Sequence, residues 1–163
     1  MALDNLRDLF VYELRDVYHA EKQLLEALPK MEEAASEPKL EKAFSDHQRE
    51  TAEHVRRLER IFDELGTSKR ARHCEAMEGL IEEARERIDD IPKGDLRDAA
   101  LIVAAQKVEH YEIASYGSLL ALANQLKVQK ITEELKTTEE EEKKADLEFS
   151  KLATKQVNPE AAA

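Results

Sequence analysis

In the stretch KVEHYEIAS, residues 107–115, two carboxylates stand on what otherwise reads as the buried face of a helix. Leu101, Ala105 and Val108 lead into it at steps of three and four, and Tyr116 (or Ser115), Leu119 and Ala123 lead out. Glu112 lies on that line and Glu109 on its edge. Three other segments are interrupted in the same way. Glu21 breaks the line Leu3, Leu6, Phe10, Leu14, Val17, Leu24, Leu28. Glu50 (or Thr51 beside it), flanked by His47 and His54, breaks Leu40, Phe44, Leu58, Ile61, Leu65. Glu142 breaks Ile131, Leu135, Thr138, Ala145, Phe149, Leu152.

An ionised carboxylate buried alone is strongly unfavourable and takes up a proton instead. Hard cations with oxygen and imidazole ligands remove that cost, and imidazole suits borderline ions such as Fe and Mn. One carboxylate from each of two helices, with a carboxylate and a second ligand from each of two more, is the recurring di-metal pattern of helical bundles. The second ligand is open in two places. HQRETAEH offers His47 three residues before Glu50, or His54 four after it. EKKAD places Asp146 four residues after Glu142, so that His54 and Asp146 would give two matching helix-face pairs and His47 a less symmetric site.

The elements that must hold these residues are helices. Only four Gly and four Pro interrupt a chain of 163 residues rich in Ala, Leu, Glu and Lys. The first helix is expected from about Leu3 to Ala35 with a kink at Pro29. Ser36 should cap a second, with Pro38 in its first turn and Gly66 after Leu65. A shorter segment from Cys74 to Asp90 follows. Asp95 is expected to cap a long helix to about Gln125, and a last one spans Val128 to Gln156. Residues 1–156 thus form one all-α domain, a four-helix bundle with one long crossover carrying an extra short helix, and 157–163 form a frayed tail.

Heights along these helices agree. Glu21 lies about 15 residues before Ser36 and Glu50 about 14 after it, each roughly 22 Å from the turn at 1.5 Å per residue. Around a turn near Leu126 and Lys127, Glu109 and Glu112 precede by about 15 to 18 residues and Glu142 follows by about 15, so all four interruptions share one layer.

Composition excludes other classes. A net charge of −11 disfavours nucleic acid and anionic membranes as partners. The apolar run AALIVAA is too short to cross a bilayer, and the N-terminus carries acids where a secretory signal would not. With Cys74 the single cysteine, no internal disulfide forms, and the cytoplasm is the expected compartment. His73 and Cys74 are adjacent and point apart on a helix, so they make no soft-metal site.

VYHAEKQLLEALPKM, HQRETAEH, CEAMEGLIEEA and RDAALIVAAQKVEHYEIASYGSL resemble the YciF-type ferritin-like stress proteins, over about Leu6 to Leu152. EHYE is also similar to the third-helix motif of rubrerythrins, in which both glutamates serve a di-iron centre. The resemblance implies a ferritin-like bundle with a dinuclear metal site, induced in bacterial stress and homodimeric. On these residues a centre of two metal ions, Fe or mixed Fe/Mn, is expected to react with oxygen or peroxide. Glu50 and Glu142 would then bridge and Glu21 and Glu109 be terminal. His54 (or His47), Glu112 and Asp146 would complete the two coordination spheres. The alternative is a non-catalytic stress protein whose metal is structural or buffering. The chain departs from the usual motif in having no Glu-x-x-His in its second or fourth long helix.

Overall fold

A computed structural model describes residues 3–163. Helices run over Leu6–Ala34 (α1), Pro38–Leu65 (α2), Glu75–Asp90 (α3), Asp95–Gln125 (α4) and Gln129–Leu152 (α5). A π turn, Ala153–Val157, then leads into a last short helix, Asn158–Ala161 (α6). No strand occurs among the described residues. No helix of theirs is long and apolar enough to cross a membrane.

The helix ends show where local signals held and where they were overridden. Asn5 caps α1 by accepting from the Asp8 N–H at 3.0 Å, and Pro29 lies within α1 without ending it. Gly66 closes α2 at φ 63°, the left-handed conformation that glycine adopts without a Cβ clash. Ser36 does not cap α2. Glu37 occupies that position and accepts from the Lys39 N–H, while the Ser36 and Glu37 N–H groups both donate to the Asp98 carboxylate, each at 2.8 Å. A buried acid from α4 thus satisfies the two backbone donors of the turn that leads into α2. Asp95 is likewise the first residue of α4 and not its cap, which is Gly94 at φ 148°.

The α4–α5 turn contains no glycine, yet Val128 N–H reaches Ala123 O and Lys127 N–H reaches Asn124 O. Lys127 takes the left-handed position at φ 58°. At the other end, the segment expected as a frayed tail stays helical through Ala161, with Val157 buried and α6 packed on α4. Leu3 and Leu6, expected in the core, are exposed because the buried line of α1 begins at Phe10.

Packing follows a closed square: α1 on α2, α2 on α5, α5 on α4 and α4 on α1. The core falls into two apolar halves. One holds Leu24, Leu28, Leu40, Phe44, Leu101, Ala105 and Phe149. The other holds Phe10, Leu14, Leu58, Phe62, Tyr116, Leu119 and Leu135. Along the chain, α1 and α5 run from the second half to the first, and α2 and α4 from the first to the second. Since α2 ends where α4 must not begin, the connection from 66 to 94 travels the length of the bundle. It carries α3 along the outside of α1 and α4, anchored by Cys74, Met77 and Ala84.

Asp98 holds the α1–α2 turn to α4, so its loss strands two backbone donors. Asp98→Ala is expected to destabilise the protein by about 1–3 kcal/mol in denaturant unfolding. Asp98→Asn should recover part of this, because one amide oxygen replaces two carboxylate oxygens.

Candidate metal centre

Between the two apolar halves lies a layer of polar side chains, contributed by all four bundle helices. On α1 the spacing Val17, Glu21, Leu24 carries Glu21 fully inward. On α2 the inward line is Phe44, His47, Thr51, His54, Leu58. On α4 it is Val108, Glu109, Glu112, Tyr116, and on α5 Leu135, Thr138, Glu142, Ala145. Glu21, His47, His54, Glu109, Glu112 and Glu142 are all 3% exposed or less.

These six form two overlapping sets. His47, Glu109, Glu112 and Glu142 each bring one ligand-type atom within 4.8 Å of the others, and so do Glu21, His54 and Glu142. Glu142 belongs to both. His54 Nδ1 lies 2.9 Å from Glu142 Oε1 and 3.4 Å from Glu21 Oε1, and His47 Nε2 lies 3.1 Å from Glu109 Oε1. The distances are short, but the directions are wrong for hydrogen bonds. Both nitrogens of His47, Nδ1 of His54, both oxygens of Glu112 and of Glu142, Oε2 of Glu21 and Oε2 of Glu109 have no hydrogen-bond partner. Buried polar atoms normally find one. Atoms this close that are not aimed at each other could hold a metal ion between them.

A surrounding set of polar contacts holds the layer. Glu141 accepts from His54 Nε2 at 3.0 Å and is clasped by Arg57, whose Nη1 also reaches Thr138. A carboxylate on the far nitrogen fixes the ring orientation and leaves Nδ1 to face inward, as outer partners of metal-bound histidines do. The Tyr116 hydroxyl donates to Glu21 Oε1. The His54 ring meets Tyr116 edge-on, and the His47 ring meets Phe149 edge-on.

Burial and mutual repulsion set the protonation of the metal-free layer. Desolvation, with the charges of Glu142, Glu21 and Glu109, raises Glu112 well above the usual carboxylate range. Desolvation also raises Glu142, to about 8. Burial opposes charge on His47 and His54, but the carboxylates around them outweigh it and raise both. Glu141 moves the other way: burial opposes its charge, yet His54 and Arg57 pull it down to about 2.

Two of the sequence-expected ligands fall outside the layer. Glu50 is one residue from Thr51, which takes the inward position, so its side chain turns toward the surface and is 37% exposed. Asp146 is displaced in the same sense. It accepts from Gln106 at 3.4 Å and faces His110 at 3.5 Å. His47 and His54 both reach the layer, one in each set. Sequence reasoning missed Glu141 and Arg57. Arg57 follows His54 by one helical turn on a face that needs an acid opposite, but which glutamate of the run 139–142 supplies it depends on how α5 is rotated.

The chain matches the family described as a domain of unknown function, DUF892, over residues 5–162. It is 48% identical to Protein YciF of Escherichia coli (strain K12) over 162 residues, 99% of this chain and 98% of that one. The crystal structure of that E. coli stress protein superposes with a TM-score of 0.92 over 96% of this chain and 99% of the other. YcfI from Rhodopseudomonas palustris is 39% identical, with a TM-score of 0.88 over 92% of this chain and 97% of that one. A Xanthomonas campestris protein at 18% identity, with a TM-score of 0.72 over 91% of each chain, shares the fold.

Groups whose folded-state pKa is raised stabilise at low pH and lose that contribution as pH rises through the folded value. For Glu112 and Glu142 the loss starts near the ordinary carboxylate value of 4.5, and for Glu142 it runs to about 8. For His47 and His54 it starts near 6.5. Glu141 acts only in acid, as its pKa lies at about 2. Chelator-stripped protein is therefore expected to show a Tm that falls between pH 5.5 and pH 8 in calorimetry at constant ionic strength. A Tm that rises over this range would contradict the protonation assigned to the layer.

Proposed function

This chain belongs to the DUF892 family, and from that premise we propose that it is a ferritin-like stress protein whose buried layer binds a dinuclear centre, Fe or mixed Fe/Mn. One observation carries the reading: nine buried nitrogen and carboxylate oxygen atoms, on six side chains from four helices, have no hydrogen-bond partner, and in each of the two sets one atom from every side chain lies within 4.8 Å of the others. Glu142, in both sets, is the candidate bridge. Glu21 and His54 would hold one ion, and His47, Glu109 and Glu112 the other. Four carboxylates against two divalent cations leave the layer neutral, which offsets the cost of burying the charges.

When bound, such a pair of redox-active ions supplies electrons to oxygen or peroxide. The chain's own residues do the rest. Glu141 holds His54 in one tautomer and one orientation. Tyr116 fixes Glu21 through its hydroxyl proton. The apolar halves above and below exclude bulk water, and so strengthen each ligand's electrostatic hold. The E. coli relative is described as a stress protein, which accords with chemistry directed at oxidants.

Protein purified without chelator is expected to carry about two Fe or Mn per chain by elemental analysis. Glu142→Ala should lose most of it. Loaded anaerobically with Fe(II) and mixed with oxygen or peroxide, the wild type should oxidise its metal faster than free Fe(II). Metal that binds but does not turn over would assign it a structural or buffering role. Absence of metal after loading would refute the reading. In the chelator-stripped protein, Glu112→Leu is expected to raise stability by about 1–3 kcal/mol in urea unfolding, because it removes two unpartnered buried oxygens while filling the space. The same substitution should weaken metal binding, so that stability and binding move in opposite directions.

A further inference from the structure

A closed layer needs a way in. Every member is nearly inaccessible, and a hydrated cation must exchange its water for protein ligands in steps. His47 is the member that also lines a surface cleft, of about 310 Å³, between α2 and α5. The cleft is bordered by Asp46, Arg49, Glu50, Lys144, Glu148 and Phe149. Its acids are not equivalent. Asp46 is paired with Lys42 and, at 3.2 Å, with Arg49, and Glu148 has Lys144 at 3.9 Å. Glu50 has no lysine or arginine within ion-pair distance among the described residues, although the Lys144 charge acts on it from farther off, and its Oε2 lies 3.8 Å from His47 Nδ1. That nitrogen is buried, has no hydrogen-bond partner and is the one nearer Glu50. Nε2, across the ring, faces Glu109 and Glu142.

One imidazole therefore stands between an outer carboxylate and the inner ones. We propose that the α2–α5 cleft is the entry site for a divalent cation, with Glu50 as the carboxylate that receives it from solvent and passes it to His47. The spacing supports this role. Glu50 follows His47 by three residues, so both lie on one side of α2 about one turn apart, within reach of a single ion moving inward. Partial exposure, which removes Glu50 from the resident ligands, is what a receiving ligand needs. Lys144 at the cleft places a positive charge on the approach and slows entry.

This inference rests on the metal-binding reading above, and the test separates the two. Chelator-stripped full-length protein is mixed with Co(II), and uptake is followed by the visible absorption of the bound ion. Final stoichiometry is then measured by elemental analysis. Wild type and Glu50→Gln should reach the same final content, with Glu50→Gln slower by roughly 10-fold. Lys144→Ala should load faster than wild type, with the difference shrinking as salt is added. Uptake by Glu50→Gln at the wild-type rate would overturn the entry role, as would a lowered final content, which would make Glu50 a resident ligand. Wild type that takes up no Co(II) would overturn the metal reading itself, and the entry site with it.

Discussion

The constraint on which the rest of this protein depends is the burial of four carboxylates and two imidazoles at one level of a helical bundle. Left in a dry interior without partners, such groups cost several kcal/mol each, and the metal-free layer answers by holding protons. The layer also divides the core. Leu24, Phe44, Leu101 and Phe149 close it on one side, and Leu14, Leu58, Tyr116 and Leu119 on the other. Each half must then hold the helices in register independently, since a slide of one helix turn would exchange a layer residue for a core leucine.

Polar side chains from four helices meet at one height in two hairpins packed side by side. With α2 and α4 running the same way, the chain must return along the bundle between them. The crossover with α3 makes that return, and Asp98 ties its far end to the first hairpin by accepting from the Ser36 and Glu37 N–H groups of the α1–α2 turn. A sequence-local cap at Ser36 would have served the helix but not the joint.

Orientation of the layer's side chains is a separate problem from their position. His54 and Glu21 could rotate freely in a loosely packed site. Glu141, clasped by Arg57, and the Tyr116 hydroxyl remove that freedom at two points of the smaller donor set. The larger set has less such support. His47 is held mainly by its edge contact with Phe149, and its outer nitrogen is unbonded. The better-held set thus lies deep in the bundle, and the looser one adjoins the cleft.

Much of this was legible in the order of residues. Apolar steps of three and four define the helices, and the distances of Glu21, Glu109, Glu112 and Glu142 from their turns place them level, because helical rise per residue is constant. The resemblance carried by RDAALIVAAQKVEHYEIASYGSL agrees with the match over residues 5–162. What periodicity does not contain is rotation about each helix axis to better than one residue. On α2 that rotation decided between Glu50 and Thr51, and Thr51 faces inward. On α5 it sent Asp146 to Gln106 and His110, and brought Glu141 against His54. The caps expected at Ser36 and Asp95 each lie one residue from the observed cap: Glu37 caps α2, and Gly94, with no side chain to cap with, precedes α4. Sequence alone determined the helices, the layer and its elements. Tertiary packing decided which side chains fill the layer, since only the facing helix says which side of a residue is inside.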